Sequence, residues 1–322
     1  MRLAIVGCGS LGSLFAALLS PHVDLAVLGH WPAQIAHLRA SGLTLVRPDG
    51  RRSTHRFPVH NDPAQLPPSD LALVLVKSHQ TARAAAEIQH FLAADGLALT
   101  LQNGLGNVEI LSAVLGSNRV GQGITALGAN VPAPGVVNFA GHGPTHLARS
   151  AANQAHVQEL YSTLQAAGLE THLADDLRRL AWGKLAINAA INPLTALLRV
   201  PNGFLAGHDL ARQLLFTAAA ETAAVARALA IDLPYPDAPQ RALAVAQATA
   251  ANRSSMLQDV LRGAPTEIDA ICGAVVHHGR QSNVPTPLNV EYLRLIHSLP
   301  STAPLSSTIP LLQSLLEQKS ME

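Results

Sequence analysis

Residues 3–12 read LAIVGCGSLG, an apolar run of strand character followed at once by a glycine-rich turn with the spacing GxGxxG. A helix-forming segment begins directly after the turn. In such a strand–turn–helix unit, Gly7 permits the tight turn, Gly9 lets a pyrophosphate approach the backbone, and Gly12 allows the helix to pack on the strand. The order predicts a Rossmann-type dinucleotide-binding domain whose cofactor contacts come from Gly7, Cys8, Gly9, Ser10, Leu11 and Gly12. The alternative for the motif is a glycine turn with a purely structural role. The alternative for Cys8 is that it is simply a small buried residue.

The end of the second predicted strand, residues 25–28, bears on the choice between NADPH and NADH. An NAD site typically has a carboxylate about 20 residues past the glycines, which accepts a hydrogen bond from the ribose 2′-hydroxyl. Here His30 takes that place, and Asp24 lies at the opposite end of the strand. The absent carboxylate favours NADPH, with His30 meeting the 2′-phosphate and Arg51 or Arg52 assisting it. NADH stays open as the alternative.

Two further apolar strands each lead into a polar side chain. Residues 70–76 are apolar after Asp70, in the manner of a parallel strand buried on both faces, and Lys77 follows them; residues 97–101 precede Asn103. Ligands of open α/β sheets bind beyond the carboxyl ends of the strands, so we expect Lys77 and Asn103 beside the glycine turn. A solvated lysine is the alternative for Lys77. Added strands that complete this domain are predicted at 120–127 and 136–147.

From about residue 153 the sequence changes to helical periodicity. With no strand among them, helices are predicted at 153–167, 177–192, 208–231, 238–262, 267–281, 287–298 and 309–318. Thr266 is expected to cap the start of one of these helices, with Asp269 in the capping-box position. The change in character predicts two domains, an α/β domain at 1–175 and an all-α domain at 176–322.

Residues 182–195, WGKLAINAAINPLT, carry the most distinctive pattern of the helical half. Lys184, Asn188 and Asn192 recur every four residues, so on a helix they share one face, and nearly all residues between them are apolar. Asn is a poor helix former, so two of them need solvent or a ligand as hydrogen-bond partner. Pro193 is expected to end or kink the helix. The alternative is an ordinary amphipathic helix with a wet polar face.

Composition excludes several classes of protein. The chain has 322 residues, is 48% hydrophobic, and balances 22 Lys and Arg against 21 Asp and Glu, so nucleic acid and membrane surfaces are not expected partners. Charges interrupt the apolar segment 210–231, which therefore indicates a buried helix. The histidines and two cysteines have no metal-site spacing. No targeting segment is visible, so we expect a cytoplasmic protein.

Six motifs, in this order, resemble the ketopantoate reductase (2-dehydropantoate 2-reductase) family over nearly the whole chain. They are GCGSLG at 7–12, LVKSHQ at 75–80, LQNGLGN at 101–107, WGKLAINAAINPLT at 182–195, NRSSMLQD at 252–259 and PTEID at 265–269. The resemblance implies an N-terminal Rossmann domain and a helical C-terminal domain similar to that of 6-phosphogluconate dehydrogenase. It also implies NADPH-dependent reduction of 2-dehydropantoate to (R)-pantoate in pantothenate biosynthesis.

The same resemblance implies roles for individual residues. Lys184 corresponds to the catalytic lysine, Glu267 to the carboxylate beside it, and Lys77 to a residue at the edge of the cofactor and substrate sites. The substrate is expected to be held by Asn103, Asn188, Asn192 and Ser255. The chain departs from the family at His30, where an arginine that binds the 2′-phosphate is usual.

These roles agree with the chemistry of ketone reduction. Hydride transfer to a keto carbon leaves negative charge on its oxygen, which a cationic acid must neutralise, and Lys184 is the one such group on the polar face. Two alternatives stay open: a reductase of another branched 2-oxo acid, and a nucleotide-binding sensor without turnover. The expected partners are a small 2-oxo acid and, as an option, a second copy of the chain in a homodimer.

Overall fold

The computed structural model describes residues 1–149 and 154–299. The helix predicted at 309–318 lies outside these residues, as does the first residue of the helix predicted at 153–167. Within the described ranges, no helix is both long enough and apolar enough to cross a membrane.

The chain forms two compact units. The first consists of Met1–Gln102 and Gly106–Leu177, and the second of Asn103–Leu105 together with the residues from Arg178 onward. The short segment Asn103–Leu105 therefore belongs with residues far from it in the sequence. The domain boundary predicted after residue 175 placed these three residues in the first domain.

Two sheets build the first unit. Its described strands are β1 (Arg2–Val6), β2 (Asp24–Leu28), β3 (Leu43–Val46), β4 (Arg52–His55), β5 (Val59–His60), β6 (Ser69–Val74), β7 (Leu92–Thr100), β8 (Val120–Thr125), β9 (Gly128–Ala133), β10 (Val136–Gly141), β11 (Thr145–Ala148) and β12 (Thr171–Ala174). The large sheet has the order β12-β11-β8-β7-β6-β1-β2-β5, and the small sheet the order β4-β3-β10-β9.

Strand β1 occupies the middle of the large sheet and runs parallel to both of its neighbours, β2 and β6. Its side chains alternate between two cores: Leu3 and Ile5 join one, and Ala4 and Val6 join the other. A strand that is buried on both faces needs apolar residues at every position, which explains the uninterrupted run in the sequence. The predicted Rossmann-type sheet is confirmed.

Helices cover both faces of the large sheet. They are α1 (Ser10–Leu19), α2 (Pro32–Ser41), α3 (Thr81–Ile88), α4 (Asn107–Leu115) and α5 (Gln154–Ala166). Leu14 and Phe15 of α1 share a core with Leu45 and Phe139 of the small sheet. Ile88 of α3 lies in the core on the opposite face. The glycine turn is therefore held between a buried strand and a buried helix.

Two strand predictions were wrong in part. The strand predicted at 136–147 is two strands, β10 and β11, which lie in different sheets. Pro144 lies between them, and a proline cannot donate to a strand ladder. Strand β12 was missed because the sequence indicated only helices after residue 153. Its four residues pair in parallel with β11, a contact between distant segments that local periodicity does not encode.

The second unit is helical. Its described helices are α6 (Arg178–Leu198), α7 (Phe204–Gly207), α8 (Asp209–Ala228), α9 (Ala238–Ala248), α10 (Ser255–Leu261), α11 (Ala274–Gln281) and α12 (Pro287–His297), with a π-helical turn at Asp269–Gly273 before α11. Helix α6 packs against α8, α9, α10 and α12. Fully buried alanines such as Ala186, Ala190 and Ala218 allow this close packing.

Helix α6 continues past Pro193 to Leu198, so of the two outcomes expected at this proline, an end or a kink, the helix end is excluded. A proline inside a helix removes one backbone hydrogen bond. Leu194 and Leu197 follow it into the buried core of the second unit. Their burial offsets the lost bond, because tertiary packing contributes more to helix stability than intrinsic propensity does.

The helix predicted at 238–262 is interrupted: α9 ends at Ala248, and α10 begins at Ser255. The side chain of Ser254 caps α10 by accepting a hydrogen bond of 3.1 Å from the Leu257 N–H. Residues 252–254 therefore precede a helix start rather than lie in the middle of a helix. Serine is among the residues preferred at that position.

The helix predicted from residue 267 begins as the π-helical turn. Thr266 Oγ1 accepts a hydrogen bond of 3.3 Å from the Ile268 N–H, as a residue at a helix start does. The Asp269 carboxylate pairs instead with His297 at 3.0 Å. The predicted capping box is replaced by this contact to α12.

Candidate active site

The glycine turn shows a different constraint at each of its three glycines. Gly7 has φ +121°, and a Cβ there would lie 2.9 Å from the backbone of Leu75 and Val76. A Cβ on Gly12 would lie 1.8 Å from the Gly7 carbonyl oxygen. At Gly9, which precedes the first turn of α1, a Cβ would meet no atom within 4 Å. The fold thus requires Gly7 and Gly12, whereas Gly9 leaves open space at a helix N-terminus, where an anion binds favourably.

Cys8 packs beneath the loop that follows β2. A Cβ on Gly29 would lie 2.4 Å from Cys8 Sγ. Burial raises the pKa of the Cys8 thiol, and backbone hydrogen bonds from Trp31 and His30 oppose that shift. A buried thiol with a raised pKa is a poor nucleophile, so the side chain of Cys8 acts through packing.

His30 makes a contact that the sequence did not predict. Its Nε2 lies 2.8 Å from Oε1 of Glu87 on α3, and Arg83 Nε lies 3.6 Å from the same oxygen. Arg51, one of the two arginines expected as alternatives to assist His30, pairs with Asp49 at 2.6 Å. Glu87 gives no local signal in the sequence, because its relation to His30 depends on how α3 packs on the sheet.

Lys77 lies just past the end of β6 and is half-buried. Lys77 directly follows Leu75 and Val76, whose backbone lies close to Gly7. The amide of Gln102 donates 2.9 Å hydrogen bonds to the Val76 carbonyl and to Thr81 Oγ1. These bonds hold together the ends of β6 and β7 and the start of α3, so Lys77 lies on a fixed turn.

Asn103 packs within the second unit. The Leu105 N–H donates to the Ala270 carbonyl at 2.9 Å, and Gly104, with φ +80°, passes so close that a Cβ would lie 2.3 Å from the same oxygen. Asn103 Nδ2 in turn donates to Glu267 Oε2 at 3.4 Å. The segment therefore presents Asn103 directly to the predicted carboxylate.

Lys184 and Glu267 are coupled electrostatically. Burial lowers the pKa of Lys184 to about 8, and the charge of Glu267 opposes that shift. Glu267 is itself 5% exposed. A lysine in this state holds a proton at neutral pH and releases it more readily than a solvated lysine does.

The two asparagines of α6 extend the polar face from Lys184. Asn188 is half-buried and Asn192 is buried. Their side-chain amides form no hydrogen bond with any other described residue. An amide with unused donors and acceptors can hydrogen-bond a polar ligand, so this face suits one.

Ser255 is the first residue of α10, and its neighbour Ser254 fixes the position of that helix. Thr195 Oγ1, on the last turns of α6, donates to Ser254 Oγ at 2.7 Å. This buried bond connects the start of α10 to the helix that carries Asn188 and Asn192. The predicted substrate residues Asn103, Asn188, Asn192 and Ser255 thus all lie in the second unit with Lys184 and Glu267.

Family models match both halves of the chain. The model described as "Ketopantoate reductase PanE/ApbA" matches residues 3–152, and the one described as "Ketopantoate reductase PanE/ApbA C terminal" matches residues 176–299. The chain belongs to the ketopantoate reductase family. It is therefore an NAD(P)-dependent oxidoreductase of this family, as the sequence predicted.

Relatives of the ketopantoate reductase family resemble the chain over nearly its full length. A 2-dehydropantoate 2-reductase of Halobacterium salinarum is 37% identical over 89% of this chain and 95% of its own length. The crystal structure of 2-dehydropantoate 2-reductase from Geobacter metallireducens is 30% identical, covers 92% of this chain and 99% of its own, and superposes with a TM-score of 0.85. A ternary structure of D-mandelate dehydrogenase with NADH and anilino(oxo)acetate is 25% identical, covers 92% and 98%, and has a TM-score of 0.85.

Proposed function

We propose that the protein reduces 2-dehydropantoate to (R)-pantoate, with NADPH as the reductant, and so supplies pantothenate biosynthesis. The observation that carries this proposal is the position of Glu267, which accepts a hydrogen bond from Asn103 and whose charge acts on Lys184. The 37% identical relative named for this reaction supports the choice of substrate.

Lys184 is the proton donor in this proposal. A reduced nicotinamide dinucleotide held at the glycine turn would supply hydride to the keto carbon, and negative charge would develop on the keto oxygen. Lys184 Nζ gives its proton to that oxygen, and a pKa of about 8 suits an acid that works near neutrality. Glu267 orients the ammonium group and is itself held by Asn103.

The substrate carboxylate and hydroxyl need several hydrogen-bond partners. The amides of Asn188 and Asn192 have donors and acceptors that the described residues leave unused. Ser255 adds a hydroxyl at the start of α10. We assign these groups, together with Asn103, to substrate binding.

The residues of the first unit fit a dinucleotide. The open backbone at Gly9 and the N-terminus of α1 suit a pyrophosphate. The assigned cofactor contacts are Gly7, Cys8, Gly9, Ser10, Leu11, Gly12, His30, Lys77 and Asn103. His30 is assigned to the 2′-phosphate, and NADH is the alternative reductant.

A second candidate is a reductase of another 2-oxo acid. The structural likeness to D-mandelate dehydrogenase, solved with NADH and anilino(oxo)acetate, favours it. The polar face determines the type of reaction, but it determines less well which substrate side chain is accepted. Hydrophobic contacts discriminate only weakly between similar groups.

Steady-state turnover with 2-dehydropantoate and with benzoylformate, each with NADPH and with NADH, separates the candidates. The proposal expects the highest kcat/KM for 2-dehydropantoate with NADPH. A higher kcat/KM for benzoylformate would favour the second candidate, and no turnover of either would favour a sensor. Light scattering tests the proposed homodimer, and cell fractionation tests the proposed cytoplasmic location.

A further inference from the structure

The loop after β2 lies where a ribose is recognised in Rossmann-type domains. The Gly7 N–H donates to the Leu28 carbonyl at 2.8 Å, so the glycine turn and the end of β2 are bonded directly. Gly29 packs on Cys8 of the same turn. His30 therefore leaves the sheet beside the predicted pyrophosphate site, at the position that selects between a 2′-hydroxyl and a 2′-phosphate.

His30 already has an anionic partner at this position. Its Nε2 lies 2.8 Å from Glu87 Oε1, and the Glu87 side chain is only 15% exposed. The pair is thus partly shielded from water. Electrostatic interactions are stronger in such a shielded site than on an open surface. A 2′-phosphate that reached His30 would have to displace this carboxylate or lie next to it.

We propose that Glu87 is a specificity-determining residue whose carboxylate competes with the 2′-phosphate of NADPH for His30 and so narrows the preference for NADPH over NADH. A phosphate monoester carries nearly two negative charges at neutral pH, so its repulsion by Glu87 is larger than any effect on a neutral 2′-hydroxyl. The Glu87 carboxylate can also accept a hydrogen bond from a 2′-hydroxyl. Helix α3 thereby provides the carboxylate that is absent from the end of β2.

Arg83 is a second basic neighbour of Glu87. Its Nε lies 3.6 Å from Glu87 Oε1, so Glu87 is shared by two basic side chains. Glu87→Gln removes the negative charge and keeps the length of the side chain. Both His30 and Arg83 are then available to a phosphate, and the preference for NADPH should rise.

The experiment measures binding by calorimetry on the whole protein, without any 2-oxo acid. The ligands are NADPH, NADH and the fragment pair adenosine 2′,5′-bisphosphate and adenosine 5′-monophosphate. For Glu87→Gln we expect the Kd of the two 2′-phosphorylated ligands to fall roughly three- to tenfold, with the other two nearly unchanged. Glu87→Ala serves the same purpose if the glutamine variant does not fold, because alanine suits helix α3.

Glu170→Gln is the matched control. Glu170 pairs with His172 Nε2 at 2.9 Å in the same unit, so this variant removes the same charge from another, more exposed, histidine–glutamate pair. It should change no Kd. Equal changes for phosphorylated and unphosphorylated ligands in Glu87→Gln, or weaker NADPH binding, would overturn the proposal. The proposal rests on the dinucleotide site of the proposed function, but failure to reduce 2-dehydropantoate would leave these Kd values informative.

Discussion

Asn103 donates a hydrogen bond of 3.4 Å to Glu267, a residue 164 positions further along the chain. The glycine at 104 and the bond from the Leu105 N–H to Ala270 hold Asn103 in place for this contact. The carboxylate in turn acts on Lys184 through its charge. An amide, a carboxylate and an ammonium group from three parts of the sequence thus act on one another within the second unit.

The pH dependence of the reaction should follow this arrangement. Lys184 must be protonated to act as the acid, and its pKa is about 8, so kcat/KM should fall as the pH rises through about 8. Glu267 opposes the lowering of that pKa. Glu267→Gln should therefore move the alkaline limb to lower pH, which a pH profile of kcat/KM measures.

Asp269→Asn is the control for this profile. Asp269 lies two residues further along, and its largely exposed carboxylate pairs with His297. Its alkaline limb should match that of the unmodified protein. An alkaline limb that stays in place or moves upward in Glu267→Gln would contradict the proposed coupling.

Thr195 should act as a positioning residue for the substrate. Thr195→Val removes the donor to Ser254 and with it the bond between α6 and the start of α10. We expect KM for the 2-oxo acid to rise several-fold with a smaller change in kcat, and a stability loss of about 1 kcal/mol.

Thr222→Val provides the comparison for Thr195→Val. Thr222 is equally buried, but its hydroxyl donates to the Ala218 carbonyl within α8. It should lose similar stability and keep its KM. Steady-state kinetics decide between the two: equal KM values in both variants would leave Thr195 with a structural role only.

Glu221 should be a major contributor to the stability of the second unit. Its buried carboxylate accepts hydrogen bonds of 3.0 Å from the Leu288 and Asn289 N–H groups and of 2.9 Å from the Asn289 amide, at the N-terminus of α12. Glu221→Ala leaves these donors without an acceptor, which should cost about 3 kcal/mol. Urea unfolding measures the loss. Glu291→Ala, which breaks a pair with the exposed Arg294 on the same helix, should have a much smaller effect, and equal losses would refute the assignment.

The glycine turn predicts opposite outcomes for two substitutions. Gly9→Asp places a carboxylate in open space, so the protein should fold but lose affinity for NADPH. Gly12→Ala places a Cβ 1.8 Å from the Gly7 carbonyl oxygen, so the first unit should be destabilised. Circular dichroism and calorimetric titration test both expectations. Unchanged NADPH affinity in Gly9→Asp would remove the pyrophosphate assignment.

The sequence could predict those parts of the protein that are encoded locally. The glycine turn has its strand before it and its helix after it within a few residues, and the spacing of Lys184, Asn188 and Asn192 follows the helical repeat. These features identify the Rossmann-type domain and one face of the candidate site.

The remaining features depend on contacts between distant segments. The pairing of Glu87 with His30 requires α3 to lie next to the loop that follows β2. The short β12 exists through its pairing with β11. Helix α6 continues through Pro193 because the leucines after it are buried. None of these contacts leaves a periodic signal in the sequence, because each depends on tertiary packing that overrides local preference.

The most direct measurement compares kcat and NADPH affinity in Lys184→Ala and Lys184→Gln. If Lys184 supplies the proton to the developing alkoxide, both variants should lose about 10²–10⁴-fold in kcat with 2-dehydropantoate, since neither retains the acid. The Kd of NADPH should be nearly unchanged, because Lys184 is not among the residues assigned to cofactor binding. Turnover near that of the unmodified protein in either folded variant would contradict the account.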